Sequence, residues 1–204
     1  MFDHLLRLLK DRLLEPLARA LGPGVSPDLV TVVACVVGLA AGGAAWRGAY
    51  GAALMLWALN RLLDGLDGTL ARAHGRQTDF GGYLDILLDF VVYTAVPTGL
   101  ALGRGDVATL VACVALLGSF FVNAASWMYL SAVLEKRAQG AAARGERTTV
   151  TMPPGLIAGT ETVLLYTGFL LVPGCAPWLF GVMAALVYVT VAQRVWWAWR
   201  RLRG

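Results

Sequence analysis

Six long apolar runs dominate the chain, at about 28–46, 49–71, 82–102, 107–133, 154–172 and 177–199. A helix needs roughly 20 residues to cross the hydrocarbon core of a bilayer, so each run predicts a transmembrane helix. Gly103 to Asp106 and Pro173 to Ala176 read as short turns, and residues 135–152 as the longest polar loop, carrying Lys136, Arg137, Arg144, Glu146 and Arg147. Ahead of the first run, residues 3–21 set Leu6, Leu9, Leu13 and Leu17 on one helical stripe, with Arg7, Lys10, Asp11 and Arg12 largely elsewhere. That pattern predicts an amphipathic helix, lying in the membrane interface or packed on the bundle. Gly22-Pro23-Gly24 ends it, and Ser26 with Pro27 fits an N-cap and first-turn proline for the next helix. The expectation is an all-α membrane protein: six transmembrane helices preceded by an N-terminal amphipathic interfacial helix. The chain reads as a single domain, 1–204, divided into an interfacial helix (1–25) and a six-helix bundle (26–204), with no internal repeat.

Composition agrees with the pattern. Of 204 residues, 58% are hydrophobic before the 24 Gly are counted, and only 15% are charged, against about 25% in soluble domains. Mean hydropathy is +0.65. Disorder, a disulfide scaffold and a nucleic-acid-binding arm are excluded. Cys35, Cys113 and Cys175 show no metal-ligand spacing and read as apolar packing residues. The early charges from Arg7 to Arg19 interrupt any secretory signal.

The distribution of charge says more than its sum of +4. Given six spans, fifteen of the 17 Lys and Arg fall on one side, and only Arg47 and Arg104 lie on the other. The positive-inside rule then puts both termini and the 72–81 and 134–153 loops in the cytoplasm, with a bacterial inner membrane as the expected location. Termini on one side require an even number of spans, which six satisfies.

The chemistry concentrates at the cytoplasmic ends of spans two and three. Asp64 and Asp67 are three apart, Asp85 and Asp89 four apart, so each pair shares a helix face. A short loop makes the two helices antiparallel neighbours, which lets four carboxylates converge. An Asp at a helix centre costs roughly 2.5–3.5 kcal/mol on insertion scales, so four cost on the order of 10–14 kcal/mol at full depth. Four such groups also repel unless cations compensate. Oxygen-only ligands suit Mg²⁺ or Mn²⁺, and two divalent ions would neutralise all four, a common clamp for displacement at phosphorus. Gly68, Ala71 and Gly81 lie one turn from these carboxylates and remove bulk, while Arg72 stands where it can meet a phosphate or simply anchor at the interface.

Asp-x2-Asp-Gly-x2-Ala-Arg-x8-Gly-x3-Asp-x3-Asp, read as Asp64, Asp67, Gly68, Ala71, Arg72, Gly81, Asp85 and Asp89, resembles the signature of the CDP-alcohol phosphatidyltransferases at every position. The six spans and the amphipathic helix before them extend the resemblance over the whole chain. It implies transfer of a phosphatidyl or similar group from a CDP-linked lipid to a small alcohol acceptor, releasing CMP, within phospholipid biosynthesis. It implies that Asp64, Asp67, Asp85 and Asp89 hold the metals, with Asp89 also general base on the acceptor hydroxyl. Gly68, Ala71 and Arg72 fall where the family binds the CDP moiety, with Asp67 and Gly81 beside them. Ser26 to Thr31 resembles the family's Pro-Asn-x-x-Thr opening of the first span, with Asp28 in place of Asn. Thr31 accordingly either touches the nucleotide or helps cap the helix. The resemblance also implies a homodimer among membrane lipids, with no nucleic-acid partner.

Acceptor residues are less defined. Lys136, Arg137 and Arg194 lie at cytoplasmic span ends and are either contacts for an acceptor phosphate or ordinary positive anchors. Relatives with phosphorylated acceptors tend to carry an Arg near the start of span five. Here Met152 to Thr162 has no basic residue and instead holds Glu161, which suits a polyol, a partner for Arg194 or a cationic acceptor. Asn123 and Ser126 line a cavity or bond between helices, and His4 and His74 read as non-catalytic. Two rivals stand beside the enzyme: a cation transporter using the four Asp, and a catalytically silent homologue. The first predicts interrupted or repeated halves and leaves Gly68, Ala71 and Arg72 unexplained; the second sits poorly with eight intact signature positions.

Overall fold

The computed structural model describes residues 14–22, 24–140 and 155–203, and every described element is helical. Residues 14–21 form a helical segment. The main helices are α1 (Pro27–Trp46), α2 (Tyr50–Ala73), α3 (Asp79–Arg104), α4 (Val107–Lys136), α5 (Gly159–Leu171) and α6 (Ala176–Leu202), the last preceded by a 3₁₀ turn, Pro173–Cys175. All six predicted runs thus contain a helix. The predicted amphipathic stripe (Leu6, Leu9, Leu13) and the charges Arg144, Glu146 and Arg147 of the polar loop lie outside the described residues.

Among the described residues, four helical stretches are long and apolar enough to cross a membrane: Pro27–Trp46, Asp79–Arg104, Val107–Lys136 and Pro173–Leu202. α2 has the length but carries Asn60, Arg61, Asp64, Asp67 and Arg72. α5 has only 13 residues, about 20 Å at 1.5 Å per residue, short of a hydrocarbon core of about 30 Å. The expected span 154–172 therefore starts late. The amide of Ala158 donates to Glu161 Oε2 at 3.1 Å, so Glu161 closes the first turn, and residues 155–158 approach it without helix.

α1 lies against both α2 and α3, α4 pairs with α6, and α5 bridges the two groups. Glycine sets the α1–α3 distance: a Cβ on Gly99 would stand 2.1 Å from the Gly42 carbonyl oxygen, and one on Gly42 2.7 Å from that of Ala95. Such small-residue seams let membrane helices approach backbone to backbone. The core is aromatic, with Trp57, Tyr166, Phe169 and Phe180 all buried and in ring contact in sequence.

One core contact follows from a proline. Pro97, inside α3, has no N–H to give the carbonyl of Tyr93 one turn earlier. The hydroxyl of Tyr166 donates to that carbonyl at 2.6 Å instead, which satisfies the acceptor and ties α5 to α3. Trp57 Nε1 donates to Thr167 Oγ1 at 3.2 Å and ties α5 to α2 as well.

At the far end from the carboxylates, Arg104 donates to Asp106 Oδ2 and Thr109 Oγ1, both at 3.0 Å, and to the Pro173 carbonyl at 2.9 Å. This joins the α3–α4 turn to the α5–α6 turn. Asp106 caps α4, and the Thr109 hydroxyl and amide donating to it hold its carboxyl below the usual carboxylate range.

Candidate active site

The last turns of α2 and the first turns of α3 run antiparallel around a loop of five residues, 74–78. Thr78 fixes the start of α3 by accepting the Gly81 amide at 3.0 Å, which orients the turns bearing Asp85 and Asp89. Gly81 lets this end pack on α1: a Cβ there would sit 3.1 Å from both Asp28 Oδ1 and Thr78 Oγ1.

Asp64, Asp85 and Asp89 come together, each offering a carboxylate oxygen within 4.8 Å of the others. All three are half-buried. Asp67, the fourth predicted carboxylate, lines the same pocket but lies deeper, at 5% exposure, and is not one of the three that converge most closely. Its Oδ1 accepts the Gly68 amide, while its Oδ2 is buried with no hydrogen-bond partner among the described residues. A buried, unpartnered carboxylate oxygen beside three converging carboxylates fits a hard divalent cation: the donors are all oxygen, and their mutual repulsion calls for positive charge.

Thr31 of α1 lines this pocket too, with Ala34, Cys35 and Val92. Its hydroxyl donates to the Pro27 carbonyl at 3.1 Å, so it also serves its own helix. Arg72 folds back along α2, with Nη2 donating to Thr69 Oγ1 at 3.2 Å. A Cβ on Gly68 would lie 3.1 Å from Arg72 Nη1, so a side chain at 68 would crowd the guanidinium where it now lies. Arg72 is exposed and Ala71 half-buried.

The four residues expected around an acceptor separate. Arg194 is buried at 7% exposure, and its Nη1 donates to Asn123 Oδ1 and, at 3.4 Å, to Ser126 Oγ. Asn123 and Ser126 thereby find their roles as partners of a buried cation. Lys136 and Arg137 are exposed, and Arg137 donates to the Leu202 carbonyl at 3.1 Å, tying α4 to the end of α6. Glu161 caps α5. His74 contacts the Ala18 carbonyl at 3.2 Å.

Arg61 is the site residue that the sequence pattern missed, having been counted only among the cytoplasmic-side cations. Its Nη2 donates to Asp89 Oδ1 at 2.8 Å, its Nη1 to the Tyr93 hydroxyl at 3.0 Å, and its Nε to Asn60 Oδ1 at 2.8 Å. Asp64 Oδ1 lies 3.7 Å away. The guanidinium carbon stands 4.8 Å from the centre of the Trp57 ring and 5.1 Å from that of Tyr93. The signal was present: an Arg three residues before Asp64, inside an apolar run, falls on the same helix face and is costly there without a partner.

Residues 24–196 match the profile of the family described as CDP-alcohol phosphatidyltransferase. Among curated proteins, the chain is 36% identical over 182 residues to the inner membrane protein YnjF of Escherichia coli, covering 89% of this chain and 87% of that one. It is 31% identical over 182 residues to an archaetidylinositol phosphate synthase of Pyrococcus horikoshii, covering 88% and 86%. Among solved structures, the fold matches the phosphatidylinositol phosphate synthase of Mycobacterium tuberculosis with CDP-DAG bound, at TM-score 0.71 and 24% identity, covering 90% and 92%. The same synthase in complex with manganese and citrate also matches at TM-score 0.71, with 23% identity and coverage of 91% and 88%.

Proposed function

Because this chain belongs to the CDP-alcohol phosphatidyltransferase family, we propose that it transfers a phosphatidyl-type group from a CDP-linked lipid to the hydroxyl of an alcohol, releasing CMP. The observation that carries the reading is the convergence of Asp64, Asp85 and Asp89 at the signature spacing, with Asp67 in the same pocket. When bound, Mg²⁺ or Mn²⁺ on these carboxylates supplies charge neutralisation at the diphosphate.

The residues divide the work. Asp89 takes the proton of the acceptor hydroxyl as its oxygen forms the new bond to phosphorus; the bond from phosphorus to the CMP oxygen breaks, and CMP leaves. A diphosphate already contains a good leaving group, so positioning and electrostatics supply most of the rate. Arg72 binds the donor phosphates, and Gly68, Ala71, Gly81 and Thr31 leave the surface against which the nucleotide packs. For the acceptor, relatives named as archaetidylinositol phosphate and phosphatidylinositol phosphate synthases support inositol phosphate first. Arg194, the buried cation held by Asn123 and Ser126, is the residue this reading assigns to the acceptor phosphate. The lack of a basic residue in Met152 to Thr162 argues the other way, so the acceptor screen includes unphosphorylated polyols.

The same reading takes all six helices as spans of one domain, α5 together with the non-helical residues 155–158 before it, with termini and carboxylates cytoplasmic and two chains forming a homodimer. α2 qualifies because Asn60, Arg61, Asp64 and Asp67 face the pocket rather than lipid. The test is CMP release from CDP-diacylglycerol by purified chain, one acceptor at a time. Release that depends on an acceptor and on Mn²⁺ supports the proposal; hydrolysis alone, or no release from a folded, Mn²⁺-binding protein, overturns it.

A further inference from the structure

Exposed cations gather where α4 and α6 end: Lys136 and Arg137 on α4, and Arg200, Arg201 and Arg203 on α6. The two ends are joined, since Arg137 Nη2 donates to the Leu202 carbonyl at 3.1 Å. α6 holds no carboxylate and α4 only Glu135, so the pair carries more positive charge than its own residues can offset.

Each of these α6 arginines lies over a tryptophan about one turn earlier. The guanidinium carbon is 3.9 Å from the ring centre for Arg200 on Trp196, 5.4 Å for Arg201 on Trp197 and 5.6 Å for Arg203 on Trp199. Stacking of this kind holds the guanidinium on the ring and leaves its N–H fork for an oxygen acceptor. Trp196, Trp199, Arg200 and Arg203 share one helix face, which carries exposed Val182 and Val189 farther back. Along that face the side chains pass from aliphatic to aromatic to basic, the order of a bilayer from hydrocarbon to headgroups. Length agrees. α6 has 27 residues, about 40 Å at 1.5 Å per residue, and α4 has 30, about 45 Å, against a hydrocarbon core of about 30 Å. With its first turn at the opposite boundary, α6 outruns the core by roughly two turns, and Trp196 onward falls at the level of the headgroups.

We propose that the joined ends of α4 and α6 form a binding surface for anionic phospholipid headgroups. The arginines take the lipid phosphates through charge-assisted hydrogen bonds, and the tryptophans seat the boundary between headgroup and acyl chain. A cluster of basic residues beside a span attracts lipids of net negative charge, whereas an ordinary anchor accepts any phospholipid. A helix C-terminus also favours nearby cations, but that effect calls neither for a tryptophan under each arginine nor for two further cations from α4. The surface shares no residue with the carboxylate pocket, so it does not depend on the reaction assigned to that pocket.

The test uses the full-length chain in phosphatidylcholine vesicles without donor, acceptor or divalent ion. Trp46→Phe and Trp178→Phe form the background, so that the exposed tryptophans left are those at the end of α6. Quenching of their fluorescence by brominated phosphatidylglycerol is compared with quenching by brominated phosphatidylcholine at equal mole fraction. We expect the anionic lipid to be preferred about fivefold, the weight of one basic residue at an anionic surface. The preference should fall toward one in about 1 M NaCl, where the Debye length is about 3 Å. Arg200→Gln, Arg201→Gln and Arg203→Gln together keep the tryptophans and should remove most of it.

Equal quenching by the two lipids before these arginines are replaced would make the patch an ordinary anchor, or one covered by another part of the chain, and overturn the proposal. A preference undiminished in the folded triple variant would overturn it too. Should that variant not fold, a preference unchanged in about 1 M NaCl overturns it alone.

Discussion

Under the proposed function, the carboxylate of Asp89 and the guanidinium of Arg72 predict opposite kinetic defects. Asp89→Asn keeps the shape of the site and removes the proton acceptor, so kcat falls about 10²–10⁴-fold while CDP-lipid binding persists. Arg72→Ala leaves the carboxylates intact and removes a charged donor contact worth about 1.5–3 kcal/mol, so donor KM rises roughly 10–100-fold. Steady-state kinetics with donor varied separates them; equal loss of binding and turnover in Asp89→Asn would contradict the assignment. These residues were legible because each is chemically conspicuous: four carboxylates in apolar runs, at helical spacing, have no cheap explanation. Arg61 was hidden because it stands outside the signature spacing, and only the fold shows its guanidinium on Asp89. Lys136 and Arg137 shared with Arg194 the ambiguity of anchor or acceptor contact, and burial alone separated them.

Among the elements, the helices were readable and their ends were not. Apolar periodicity located every run, but the start of α5 depends on Glu161 bonding to the amide of Ala158, a local contact that hydropathy does not register. The link between Pro97 and Tyr166 is of the same kind: the proline is visible in sequence, its substitute donor 73 residues away is not. Tyr166→Phe should leave the Tyr93 carbonyl buried without a donor and cost about 1–3 kcal/mol, read as a lower thermal midpoint in detergent. In a Pro97→Ala background the helix regains its own amide donor, and the same substitution should cost clearly less. Equal losses in both backgrounds would show that the Tyr166 hydroxyl does not serve the gap left by the proline. α3 thus joins two functions, since Asp85 and Asp89 at its start and Pro97 in its interior sit on one rod tied to α1 by glycine contacts.

For the whole molecule, the charge asymmetry and the placement of the site make one picture. Most of the described cations share the end of the bundle that bears the carboxylates, while Arg104 works at the other end, stapling two turns. That opposite end also carries Cys175, the exposed cysteine, whereas Cys35 and Cys113 are buried. A membrane-impermeant maleimide applied to intact spheroplasts should therefore label Cys175; labelling only after permeabilisation would invert the proposed orientation. A carboxylate site at one end of the bundle suits the proposed chemistry, because a lipid donor enters from the bilayer and a soluble acceptor from water. The most direct test of this account is CMP release from CDP-diacylglycerol with Mn²⁺, measured with inositol phosphate and with unphosphorylated polyols, using Asp85→Asn as control. The account predicts release that needs an acceptor and disappears in the variant; release that persists in Asp85→Asn, or none from a folded, Mn²⁺-binding wild type, would contradict it.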